Sequence, residues 1–73
     1  MPLKEVPYRE VKRRLEAAGF IEHSQKGSHV KFVKAAGGKV STAIVPNHRA
    51  VAVGTLRSIL RQARIGVGEW ETL

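Results

Sequence analysis

The chain has 73 residues and no cysteine, so it predicts one small domain over residues 1–73, with no disulfide and no thiolate metal site. Its formal net charge is +7 and its pI about 10.6, and no apolar stretch approaches the length of a membrane span. No carboxylate lies between His23 and Gly68, whereas Lys26, Lys31, Lys34, Lys39, Arg49, Arg57, Arg61 and Arg64 do. An unpaired positive block of this length suits a polyanion, since phosphate contacts release counterions. Met1 to Glu5 lacks the pattern of a signal peptide, and the absence of cysteine fits a reducing compartment, so a cytoplasmic location is expected.

Pro7 opens a predicted helix that runs to Ala18. Tyr8, Val11, Leu15 and Ala18 make its apolar stripe, and Gly19 is its left-handed stop. The pairs Glu5–Arg9, Glu10–Arg14 and Lys12–Glu16 stand four apart and are expected to neutralise one another.

Three short runs with strand character follow. Phe20–Gln25 is the first, anchored by Phe20 and Ile21. Ser28–Lys34 is the second; Val30 and Phe32 share one face, His29 and Lys31 the other. Lys39–Val45 is the third, rich in β-branched residues, and Pro46 ends it. Lys26-Gly27 predicts a tight turn and Ala36-Gly37-Gly38 a hairpin. After a loop from Asn47 to Val53, Gly54 or Thr55 caps a second helix that buries Leu56, Ile59, Leu60 and Ala63 and leaves Arg57, Arg61 and Arg64 on another side. The tail, Ile65 to Leu73, predicts a short turn that packs Trp70 and Leu73 on the core. The order α-β-β-β-α predicts an α+β fold, a three-stranded antiparallel meander with two helices on one face. His29 and Lys31 then belong to the open face or its edge.

The chemistry on offer is cationic. A two-metal nuclease needs carboxylates, which the positive block lacks. His23, His29 and His48 stand six and nineteen apart, which matches no compact ligand motif, so neither metal nor cofactor is expected. Metal-free RNA cleavage needs only a base for the 2′-hydroxyl and donors for the phosphate oxygens. Lys26, Gly27, Ser28, His29 and Lys31 offer that set within six residues, His29 and Lys31 roughly 7 Å apart along a strand. His29 as a plain solvent-facing strand residue and Gly27 as a plain turn glycine remain open at this point. His48, in the loop after Pro46-Asn47, is a secondary candidate for proton transfer, or a residue that bonds the backbone.

Gly19-Phe20, Gly27-Ser28-His29, Val45-Pro46-Asn47-His48 and Gly54 to Ala63 occur in an order that resembles the HicA-type toxins, over roughly Tyr8 to Leu73. The resemblance implies a double-stranded-RNA-binding-like fold and an mRNA interferase of a type II toxin–antitoxin system. It implies a catalytic role for His29, the histidine of the Gly-Ser-His motif. It also implies a HicB-type antitoxin that covers this site, with the toxin a monomer when free and a hetero-oligomer with its antitoxin. Lys26, Gly27, Ser28, Lys31, Arg57 and Arg61 are then the expected RNA and phosphate contacts. Arg64 stands before Ile65 where relatives often place a glycine. A non-catalytic RNA-binding module is the alternative reading, and a protein-interaction domain whose basic surface docks an acidic partner is a third.

Overall fold

A computed structural model describes residues 3–73. The element order is α1 (Tyr8–Ala17), β1 (Ile21–Lys26), β2 (His29–Ala36), β3 (Lys39–Pro46), α2 (Val53–Ala63) and α3 (Val67–Glu71). The strands form one antiparallel sheet in the order β1-β2-β3, as the succession of turns predicts.

Alternation decides which face is covered. Val30 and Phe32 of β2 stand opposite Val45 and Ala43 of β3, and all four are fully buried. Val11 and Leu15 of α1, and Leu56, Ile59, Leu60 and Ala63 of α2, close over that face, with Trp70 of α3 completing the core. Among the described residues no helix covers the opposite sheet face.

Both long helices end in the same way. Past α1, the Phe20 N–H reaches the Leu15 carbonyl at 2.9 Å and the Gly19 N–H reaches Glu16 at 3.0 Å. Past α2, Ile65 reaches Leu60 at 3.0 Å and Arg64 reaches Arg61 at 3.3 Å. This is the Schellman arrangement, whose first residue past the cap is left-handed. Gly19 fills that place after α1 with φ +101°, but Arg64 fills it after α2 with φ +59°.

Several local expectations are corrected. Pro7 is the extended residue before α1 rather than its first residue. α2 starts at Val53 behind an extended Ala52, with neither Gly54 nor Thr55 as cap; the Ala52 carbonyl accepts the Leu56 N–H at 2.8 Å. Phe20 is buried ahead of β1 instead of inside it, and Ile21 does not anchor the strand: it is 65% exposed on the open face. A bulge between Glu22 and Ser24 resets the register, so β1 turns Glu22 toward α1. Lys12 bridges to that Glu22 at 2.6 Å instead of to Glu16. Glu10 pairs with Arg14 at 2.8 Å as expected and also with Arg13 at 2.6 Å, whereas Glu5 and Arg9 form no ion pair. The tail is a short helix rather than a turn, and it does bury Trp70 and partly bury Leu73. Arg14 stacks over the Trp70 ring at 5.1 Å from its centroid and donates to the Trp70 carbonyl at 3.0 Å.

Candidate functional site

Lys26 and His29 face each other in the β1–β2 ladder, with only Gly27 and Ser28 between them. A two-residue hairpin loop of this kind needs a left-handed first residue. Gly27 provides it at φ +61°, and a Cβ there would meet nothing within 4 Å, so backbone conformation alone demands glycine. The short loop fixes where β2 begins, and hence that His29 is its first residue.

On its other side His29 stands opposite Pro46, the last residue of β3. The next residue, Asn47, donates its backbone N–H to the Ser28 carbonyl. His48 donates its own to Pro46 at 2.9 Å. The turn that carries His29 and the loop that carries His48 are thus tied together at one end of the sheet.

Burial separates the two faces of β2. Val30 and Phe32 are in the core, His29 is exposed and Lys31 half-buried. Lys31 stands between Ser24 of β1 and Ile44 of β3. His29, Lys31 and Lys26 therefore share the open face, with the imidazole at its end. Among the described residues no side chain hydrogen-bonds the His29 ring. Arg57 and Arg61 are exposed on α2, which covers the opposite face, so the fold does not place them on the sheet face that carries His29.

A profile of the HicA toxin of bacterial toxin–antitoxin systems matches residues 8–65, well over half of the chain. The chain belongs to the HicA toxin family. As a HicA toxin it is one half of a toxin–antitoxin system and pairs with an antitoxin. Among curated proteins no match to the chain was found. No helix of the described residues is long and apolar enough to cross a membrane. Among the described residues no three His, Asp or Glu side chains gather as a set of metal ligands.

Two features at this end of the HicA chain escape a sequence reading. A cleft of about 300 Å³ opens between the start of α1 and the loop after β3, lined by Pro7, Tyr8, Arg9, Asn47, His48 and Arg49. Arg9 reads in the sequence as a helix-surface partner of Glu5, and Arg49 as one charge in a block. Burial pushes the Tyr8 phenol above its usual range; Glu22 and Glu16 add to the rise and Lys12 opposes it. The second feature is Gln62, whose side-chain oxygen accepts the Ile44 N–H at 3.0 Å on the free edge of β3. That edge would otherwise offer an unpaired donor to another strand.

Proposed function

We propose that this HicA toxin is a metal-independent endoribonuclease that cleaves mRNA in the cytoplasm, with residues 1–73 acting as one domain. The observation that carries this reading is the position of His29. It is an exposed imidazole at the end of a sheet, beside a glycine turn and directly opposite Lys26.

RNA brings its own nucleophile. His29 removes the 2′-hydroxyl proton, and the 2′-oxygen attacks the adjacent phosphorus. The bond to the 5′-oxygen then breaks, and the protonated imidazole returns a proton to that leaving group. Lys26 and Lys31 stabilise the charge on the non-bridging oxygens, with the Gly27-Ser28 backbone beside them. DNA lacks the 2′-hydroxyl and is not cut. Arg57 and Arg61 act on the helix side as longer-range phosphate contacts, and His48 is a secondary candidate for proton transfer. A HicB-type antitoxin silences the toxin by covering this end of the sheet, and the toxin is a monomer until the antitoxin binds.

The test uses wild-type and His29→Ala protein with a long, largely unstructured RNA in excess EDTA. Cleavage by the wild type and retained binding without cleavage by the variant support the reading. Equal binding with no products from either protein would make the domain a non-catalytic RNA binder.

A further inference from the structure

Apart from His48, the cleft at the His29 end of the sheet is lined by residues that the cleavage step does not use. Arg9 comes from the first turn of α1, and Asn47, His48 and Arg49 from the loop after β3. Both arginines are exposed, and neither has a carboxylate within ion-pair distance among the described residues. The acids that act on Tyr8 at the cleft wall are Glu22 and Glu16, and Glu22 is already bridged to Lys12 at 2.6 Å. Two arginines and an asparagine thus line one concave surface, and no ion pair among the described residues neutralises either arginine.

The walls are also held. Val6 and Val51 exchange backbone hydrogen bonds at 3.4 and 2.7 Å, which fixes the strap before α1 against the end of the loop. The Asn47 bond to Ser28 fixes the start of that loop against the His29 turn. Pro46, opposite His29, is the residue before Asn47. The cleft lining therefore begins with Asn47, one residue beyond the position that faces His29 across the ladder.

We infer that the cleft between Arg9 and Arg49 binds a phosphodiester of the RNA strand adjacent to the one presented to His29. The inference rests on the ribonuclease reading above and adds to it a second, non-reacting phosphate site. Guanidinium forks fit phosphate oxygens two at a time, and the Asn47 amide adds a third donor. The site holds the strand in register so that one particular 2′-hydroxyl meets the imidazole. Arg9 and Arg49 are positioning residues in this scheme and take no part in proton transfer.

The experiment measures binding alone, so it does not depend on whether His29 is the catalyst. A short, unstructured, fluorescently labelled RNA is titrated in EDTA with His29→Ala protein across a range of salt, and anisotropy gives Kd at each point. Each single-strand phosphate contact contributes about 0.7 to the slope of log Kd against log salt. The double variant Arg9→Gln/Arg49→Gln empties that one phosphate site and is expected to lose about 0.7 from that slope. Lys39→Gln/Arg64→Gln removes the same charge at the far end of the sheet and is expected to lose less than half as much. Thermal melts confirm that both variants are folded. An equal loss in both variants would reduce the effect to diffuse attraction, and an unchanged slope in Arg9→Gln/Arg49→Gln would remove the site; either result overturns the inference.

Discussion

The carbonyl of Ser28 accepts the backbone N–H of Asn47, so the turn that launches β2 and the loop that leaves β3 meet as one unit around His29. Neither segment is near the other in sequence. The imidazole sits at their junction because β2 and β3 pair in register from His29–Pro46 to Ala36–Lys39.

The turn is the sensitive part of this arrangement. Gly27→Ala places a Cβ on a residue at φ +61° with open space around it. It is expected to cost about 1–2 kcal/mol from backbone conformation alone. Cleavage of RNA should fall further than the lost stability accounts for, because the turn aims His29. A urea melt and an activity assay at a temperature where the variant stays folded check both parts. His29→Ala, by contrast, alters an exposed side chain and should shift stability by less than about 0.5 kcal/mol.

Arg64 carries the left-handed cap of α2 without being glycine. Arg64→Gly relieves the Cβ contact of that conformation and is expected to stabilise the protein by about 0.5–1 kcal/mol, after the added freedom of the unfolded chain is subtracted. In a domain of this size that raises Tm by about 2–8 °C. A lower Tm would mean that the Arg64 side chain contributes more than its backbone conformation costs.

The end of the chain is structural. Trp70 is 1% exposed and lies under the Arg14 guanidinium. Trp70→Ala is expected to cost about 3–5 kcal/mol, which for so small a core leaves little stability. Denaturant melts of that variant and of Leu73→Ala, which touches only the margin of the core, separate core loss from a general effect of the tail.

Glu10 accepts hydrogen bonds from Arg13 first and Arg14 second, and they hold its carboxyl down to about 2 against the opposing cost of burial. Because the folded pKa is depressed, the stabilisation is fully present above the unfolded value near 4.5 and is lost as pH falls toward 2. Glu10 lies at the surface, and solvent screening reduces the effect to about 1 kcal/mol. Glu10→Gln should flatten stability against pH between 4.5 and 2 and leave it unchanged in shape above that window. An identical acid slope in the variant would assign the effect to other carboxylates.

Gln62 shields one donor of the β3 edge. Gln62→Ala is expected to cost about 0.5–1.5 kcal/mol. It should also increase self-association at high concentration, since Ile44 beside that donor is 38% exposed. Sedimentation of the two proteins at matched concentration checks this.

Local patterns carried most of this fold into the sequence. The apolar stripe of α1 at spacings of three and four, the alternation of Val30 and Phe32 with His29 and Lys31, and the glycine turns determined element type, order and the antiparallel meander, because each depends on residues close in the chain. The same alternation determined that His29 and Lys31 lie on the uncovered face. Tertiary structure alone decided the rest. The bulge at Glu22–Ser24 turned Ile21 outward, and Lys12 chose Glu22 over Glu16 because the sheet brought that carboxylate within 2.6 Å. Arg9 and Arg49, forty residues apart, became neighbours of one cleft only when Val6 met Val51. Periodicity records which way a side chain faces within its own element, whereas a site between elements depends on contacts that no local spacing encodes.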